Sequence, residues 1–570
     1  MNIPRPEHPE PMFERLDWEN LNGTWEFEID KSASGAERKF YEREKLDDTI
    51  TVPFCPESKL SGIGDTDFLN SVWYKRNIEI KSKDKRIILH IGACDYLTTV
   101  YINGKAAGTH KGGYTPIIID ITNFVEVGNN ALVVHALDDM HMSKPMGKQS
   151  TKYYSEGCFY TRTTGIWQTV WLEYVPEGHI KSVKYYPDAK NGKLHIIAKV
   201  CGNGKFSAEA LFDGKTVGKA SAENHGGVAE VTIELTEKHL WEVGSGNLYD
   251  LNLTFGEDKV KSYFGLRDCY LDGYKFMING KSVFQRTVLD QGFYPDGIYT
   301  APTEEDMIND IKLSLDAGFN GARLHEKVFE PRFLYHCDKM GYLVWGEYAN
   351  WGLDHTIYES LPMMLREWEE AVERDFNHPS VIGWCPYNET WDQNGRQQID
   401  ETIEMIYRTT KAIDSTRPCI DTSGAFHVVT DIYDFHDYDQ DTSNFKKRFD
   451  KLMTENVLDD FLVEDGRKKE RVQYNGEPVF ASEYGGIKWD ESGDNSWGYG
   501  EAPKTKEEFI ERYKGLTEAL LQNDRIFGFC YTQLYDVEQE RNGLYTYSRK
   551  PKFDMEVFRK INSQKAVIED

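Results

Sequence analysis

The hydrophobic pattern of this 570-residue chain changes period once, near residue 275, and that change limits what the chain can fold into. Upstream, RIILHIG (86–92), TTVYING (98–104) and NALVVHAL (130–137) are rich in β-branched residues and bounded by Gly, Asn or Asp, so the first 175 or so residues read as β-structure. Pro176–Gly178 reads as a linker. After it, KLHIIAKV, FSAEALFDG, VAEVTIEL and LYDLNLTFG alternate polar and apolar residues between turns, which predicts an immunoglobulin-like β-sandwich. Downstream, short apolar runs alternate with amphipathic helices. Thr303 and Asp306 form a capping-box pattern ahead of Met307, Ile308, Ile311 and Leu315. Leu361, Leu365, Trp368 and Val372 mark a second helix, and Thr505 with Glu508 opens a third. Eight candidate strands lie at 285–289, 319–324, 342–346, 381–386, 418–422, 432–436, 478–482 and 526–532. Strands and helices in that order predict a (β/α)8 TIM barrel, with a doubly wound open sheet as the alternative because periodicity does not report closure.

Charge narrows the function classes. Lys and Arg total 67 against 94 Asp and Glu, a formal net charge of −27. Bulk binding to nucleic acid or to an anionic membrane needs a basic footprint, so no nucleic-acid and no membrane partner is expected. No apolar run approaches the roughly 18 residues of a membrane span, and the opening MNIPRPEHPEPMFERLDW has no basic-then-apolar leader pattern. The nine cysteines are odd in number, widely spaced and without a CxxC. That argues against a disulfide framework or structural zinc and leads to the expectation of a reducing, cytoplasmic location. DGKT at 213–216 lacks the first glycine of a phosphate loop, and there is no GxSxG, HExxH or dinucleotide fingerprint. No cofactor and no metal is expected.

TIM barrels carry their reacting groups at the C-terminal ends of the strands. The fourth predicted strand ends in WCPYNETWD, which places Asn388 and Glu389 there; the seventh ends in PVFASEYGG, which places Glu483 there. Two carboxylates from different strands, facing one cavity, are what glycoside hydrolysis needs. One donates a proton to the leaving oxygen and the other attacks the anomeric carbon; in the retaining mechanism the two carboxylates stand about 5–5.5 Å apart. A single glutamate after an apolar strand is ordinarily a solvated loop residue. Two, each in an aromatic and glycine-rich frame, weaken that reading.

Further motifs run through the whole chain: ITVPFCPES, VWYKRNIEI, DYLTTVYINGK, GGYTPIIIDIT and TTGIWQTVWLE; then SYFGLRD; then LDQGFYPDG, GFNGARLHEKVFEP, MGYLVWGE, RDFNHPSVIGWCPYNE and PVFASEYGG. Through them the chain resembles glycoside hydrolase family 2, the family of β-galactosidases, β-glucuronidases and β-mannosidases, in a compact three-domain form. The resemblance implies a multidomain architecture: a jelly-roll, sugar-binding-like sandwich over 1–176, the immunoglobulin-like sandwich over 177–267 and the catalytic barrel over 268–570. It implies Glu389 as general acid/base and Glu483 as nucleophile. Asn388 would hydrogen-bond the sugar 2-hydroxyl, Arg323 would orient Glu483 and keep it charged, and Tyr438 would hydrogen-bond it. His325 and His436 would line the pocket, with Trp391 as a sugar platform or a core residue. Gln533 and Glu538, after an eighth strand that reads FCYTQLYDVE, would help to set a subsite.

Three departures bear on the substrate. The family's R-x-x-H is shortened here to R-L-H-E-K, the family's magnesium-site pattern does not follow Glu347, and the Asn-x-Lys of the glucuronidase branch is replaced by EQERNGLYT, without a lysine. The expectation is a retaining exo-β-glycosidase acting on an oligosaccharide or glycoconjugate, with β-galactosidase as the modal activity. The alternatives are a β-uronidase, with Arg541 or Lys327 as the cation, and a non-catalytic carbohydrate-binding protein. A homo-oligomer is compatible with the sequence.

Overall fold

A computed structural model describes residues 3–458, 473–491 and 496–569. The N-terminal region is a sandwich of antiparallel sheets. A six-stranded sheet runs in the order Asp48–Val52, Gly23–Ile29, Ser71–Ile80, Gly128–Leu137, Leu97–Ile102, Lys105–Lys111. It faces a four-stranded sheet of Trp18–Asn20, Val170–Val175, Arg86–Ile91 and Ile117–Asp120. Alternate residues of both, among them Trp25, Phe27, Tyr74, Leu89, Leu132 and Leu172, close one core. The second sandwich packs His179–Asp188, Lys193–Cys201 and Val228–Glu234 against Lys215–Asn224, Gly204–Phe212, Leu248–Phe255 and Asp258–Gly265. In Val228–Glu234 every second side chain is buried, the strict two-residue period of a strand with one wet face.

The third region is the barrel. Its strands are β1 (Gln285–Asp290), β2 (Gly321–Leu324), β3 (Leu343–Glu347), β4 (Val381–Cys385), β5 (Thr422–Ser423), β6 (Tyr433–Asp437), β7 (Val479–Gly485) and β8 (Ile526–Thr532). The parallel ladder runs β4-β3-β2-β1-β8-β7-β6. Around it lie α1 (Glu304–Asp316), α2 (Pro331–Met340), α3 (Ser360–Asp375), α4 (Asp400–Ile413), α5 (Thr442–Glu455), α6 (Lys506–Leu521) and α7 (Met555–Asn562). The capping box forms: Thr303 Oγ1 accepts from Asp306 N at 3.3 Å, and Asp306 Oδ2 accepts from Thr303 N at 3.0 Å. α2 starts on Pro331 and stops at Gly341, whose φ of 64° is the left-handed cap that ends a helix.

The fifth strand departs from expectation. Where the apolar run predicts a strand over 418–422, the structure forms a single bridge between Trp384 and Cys419 and a two-residue pairing of Thr422–Ser423 with Tyr387–Asn388. The cause is Asp421. Its carboxylate accepts from the N–H groups of Val428 and Val429 at 2.6 and 2.9 Å, folding the chain back into a loop. Side chains then join β5 to β6: Ser423 Oγ donates to Asp434 Oδ2 at 2.5 Å, and Ser482 also donates to Asp434.

His427 locks this seam. It lies 2.7 Å from Asp421 and 3.1 Å from Asp434, with all three side chains fully buried. Burial opposes its charge, but the two carboxylates overcome that and lift it from 6.5 to about 10. Replacing His427 by leucine strands two buried carboxylates and should cost about 3–5 kcal/mol in urea unfolding. The raised value fixes the sign with pH. The contribution is complete below about pH 6.5 and is lost as the pH rises toward 10. The stability gap between wild type and His427→Leu should therefore narrow from pH 6.5 to about pH 9. An unchanged gap would mean that the seam is not held by charge.

Candidate active site

Glu389 and Glu483 stand at the C-terminal ends of β4 and β7, and their nearest carboxylate oxygens, with a ring nitrogen of His436, lie within 4.8 Å of one another. Glu389 sits in left-handed backbone, φ 49°, just past the short Tyr387–Asn388 strand, and its N–H donates to Ser423 O at 2.9 Å. A non-glycine residue held there is strained, a condition that clusters at functional sites.

Each oxygen of Glu483 has its own partner. Arg323, at the end of β2, places Nη1 3.1 Å from Oε1, and the Tyr438 hydroxyl donates to Oε2. Arg323 is itself fixed. Its Nε pairs with Glu347, Nη1 donates to Ser482 O at 2.8 Å, and Nη2 donates to Asn388 Oδ1 at 3.0 Å. The guanidinium fork thus sets Asn388 and Glu483 relative to each other. Asn388 Nδ2, buried beside them, has no partner among the described residues. Tyr438 stacks on Tyr499, with centroids 3.4 Å apart.

His436 joins the two carboxylates. Nδ1 lies 2.7 Å from Glu389 Oε1 and Nε2 lies 3.4 Å from Glu483 Oε1, with Ser423 Oγ 3.0 Å from Nε2. Gly424, φ 62°, makes room for it; a Cβ there would fall 2.2 Å from the imidazole. Burial disfavours charge on both members, yet the Glu483 charge on His436 and then the Glu389–His436 hydrogen bond and opposite charges prevail, so Glu389 is held below the ordinary glutamate value and His436 above the ordinary histidine value. His325 is different. Burial, with Lys148 nearby, pushes it well below 6.5, so it is a neutral ring, with Nδ1 3.1 Å from Glu347 and Nε2 3.9 Å from Glu483.

The remaining expected residues divide. Trp391 packs edge-on against Phe426 at 5.9 Å and lines the cleft, about 510 Å³, together with Glu389, His436, Tyr438 and Tyr499. Gln533 is fully buried and donates to Asn542 Oδ1 at 2.8 Å. Glu538 does not join the carboxylate pair. It accepts from the Thr161 N–H at 3.1 and 3.2 Å, tying the barrel to the N-terminal sandwich. The two cations expected to meet a uronate both have partners within the protein. Lys327 donates to Gly292 O and Tyr299 O among aromatic rings, where burial pushes it down to about 7. Arg541 lies 3.7 Å from Asp536, 35% exposed.

Sequence reasoning expected the N-terminal sandwich to wall the barrel mouth but did not name the residues that reach the site. Met146 N donates to Trp351 O at 2.8 Å and Gly147 N to Ala349 O at 3.2 Å, so residues 146–148 run along the loop after β3. Asn350 and Trp351 of that loop donate to Asn388 O at 3.0 and 3.2 Å. No local motif marks MGKQST, because packing between domains brings it there. As a metal site, the Glu389–His436–Glu483 set has three donors in reach, but a cation bound to Glu483 would share that carboxylate with the Arg323 guanidinium, 3.1 Å from its Oε1.

Models of glycosyl hydrolases family 2 match the chain three times: the TIM barrel domain over 270–565, the sugar binding domain over 18–176, and the family's central model over 178–267. The chain belongs to glycosyl hydrolases family 2. Its curated relatives include the Rattus norvegicus β-glucuronidase, 26% identical across 70% of this chain and 67% of that protein. Another is the Clostridium acetobutylicum β-galactosidase, 25% identical across 65% of this chain and 46% of that one. The chain spans about half the length of several of the relatives it matches, 41%, 46% and 57% in three cases. Among solved structures, the Ruminococcus gnavus β-glucuronidase in complex with D-glucuronic acid superposes with a TM-score of 0.79 at 18% identity, covering 98% of this chain and 99% of that one. At that identity the likeness is one of fold, and it extends to all three regions. No described helix is long and apolar enough to cross a membrane.

Proposed function

We propose that the protein is a retaining exo-β-glycosidase that removes a terminal β-linked uronic acid, with Glu483 as nucleophile and Glu389 as acid/base. The observation that carries the reading is the approach of Glu389 and Glu483 to within 4.8 Å across one cleft, the closer of the two spacings used by glycosidases. In the first step a Glu483 oxygen bonds to the anomeric carbon. The glycosidic C–O bond breaks, and the leaving oxygen takes, through Glu389, the proton that the hydrogen-bonded Glu389–His436 pair holds. In the second step Glu389 takes a proton from water, whose oxygen displaces Glu483 and restores the starting configuration. Asn388 Nδ2, unpartnered in the protein, is available to the sugar 2-hydroxyl, a bond that strengthens as positive charge develops at the anomeric carbon.

The β-galactosidase expectation has less support than its β-uronidase alternative, since the relatives and structural neighbours include many β-glucuronidases. The binding-protein alternative has no support from a site that keeps both carboxylates and their positioning residues. A panel of nitrophenyl β-glycosides (glucuronide, galacturonide, galactoside, glucoside, mannoside, fucoside) tests the reading, with Glu483→Gln as blank. A uronide should be cleaved at least about tenfold faster in kcat/KM than any neutral sugar, the scale of a satisfied against an absent polar contact. A neutral sugar cleaved fastest would overturn the uronide assignment and leave the mechanism standing.

A further inference from the structure

The geometry points to Lys148, from the N-terminal sandwich, as the residue that grips the carboxylate of the substrate's terminal sugar, an inference that rests on the uronide reading. Lys148 is 6% exposed, and its Nζ stands 3.7 Å over the ring of Trp351. The same indole donates through Nε1 to Asn388 O, the residue before Glu389, so one ring separates the ammonium from the acid/base segment. Gly147 fixes the approach. Its φ is 58°, and a Cβ there would fall 2.2 Å from Glu326 O, so the segment meets the barrel backbone at a distance only glycine allows. The Lys148 carbonyl is held by Tyr160 N at 2.7 Å.

A buried ammonium ordinarily has a carboxylate partner. Among the described residues no carboxylate lies within ion-pair distance of Lys148 Nζ, although its charge favours the ionised forms of Glu389, Glu326 and Glu540. Burial disfavours that charge, but Cys158 first, and then Glu540, Glu483 and Glu389, outweigh it and raise the group above its ordinary value. Lys148 is not among the residues that line the cleft beside Trp391 and Tyr499. Its ammonium sits instead on Trp351, whose indole holds Asn388 O next to the acid/base. The carboxylate of a uronic acid is the one charged group such a sugar brings, and it would supply the missing partner. This also explains how a lysine can be absent from residues 538–546, since the cation comes from another domain.

The test is the ratio of kcat/KM on nitrophenyl β-glucuronide or galacturonide to that on the matching neutral hexoside. Lys148→Met and Lys148→Gln should lower this ratio about 10- to 100-fold, the scale of a charge-assisted hydrogen bond, and Lys148→Arg should recover part of it. Where the neutral sugar is cleaved too slowly to time, inhibition by free D-glucuronate against D-glucose should lose its preference for the acid in the same variants. An unchanged ratio in a variant that still cleaves the uronide overturns this inference alone. Equal losses on both substrates, in the glutamine as well as the methionine variant, overturn it in favour of a structural lysine. A wild type that cleaves only neutral sugars overturns both this inference and the uronide reading, before any variant is made.

Discussion

Glu483→Ala should lose turnover on the order of 10⁴-fold or more, the scale on which removal of a covalent nucleophile acts, while folding normally by thermal melting. The argument is geometric. Arg323 and Tyr438 each hold one Glu483 oxygen, so the carboxylate is presented in one orientation, 5% exposed, toward the position an anomeric carbon would take. Shortening it to a methyl leaves the Arg323 fork and the Tyr438 hydroxyl in place around a small void beside a guanidinium. An anionic nucleophile of the right size should enter that void. With azide and a dinitrophenyl substrate, activity should return in part and the product should be a glycosyl azide of inverted configuration. A retained configuration would mean that azide intercepted a covalent intermediate formed elsewhere, and Glu483 would lose its assignment. Unimpaired turnover in the alanine variant would remove the whole site.

Much of this arrangement was legible in the sequence, and what was not has identifiable causes. The change of period near residue 275 reports local structure, and seven of the eight barrel strands lie at or within a few residues of the apolar runs that predict them. The fifth was misread because its apolar run, Cys419 and Ile420, is followed by Asp421, whose carboxylate competes with the ladder for backbone donors. That is a known habit of aspartate, but nothing in the sequence says which donors it will win. Arg323, Asn388, His436 and Tyr438 reach the carboxylate pair because strand ends of a closed barrel converge, so knowing the strand is enough to place the side chain. Glu538 and Lys148 show the limit. Both lie in loops whose partners belong to another domain, and the acid went to a backbone N–H while an unmarked lysine came to rest on Trp351 beside the acid/base segment. Loop residues at domain contacts have no period to betray them.

Glu389→Ala should divide substrates by leaving group. With a dinitrophenyl aglycone the first step needs little protonation and should proceed near the wild-type rate, so a glycosyl-enzyme accumulates and kcat falls because no base activates water. Azide should restore turnover and give a glycosyl azide of retained configuration, the opposite of the Glu483 product. With an alkyl or simple phenyl aglycone, kcat/KM should fall about 10²- to 10⁴-fold, the worth of general acid catalysis. His436 adds a pH signature. Glu389 is held below, and His436 above, its ordinary value, so the proton needed by the leaving oxygen rests on the imidazole, 2.7 Å from the carboxylate. The pair titrates as a unit, and the acid form survives until its last proton leaves. The alkaline limb of kcat/KM for poor leaving groups should therefore lie above 6.5, the ordinary histidine value, and not near that of a lone glutamate. In His436→Phe the store is gone, and Glu389 alone must keep the proton against the charges of Lys148 and Arg323. The alkaline limb should move down in pH for alkyl aglycones and stay put for dinitrophenyl ones. A limb that moves equally for both would place His436 on Glu483 instead, as a partner of the nucleophile through its Nε2 contact at 3.4 Å.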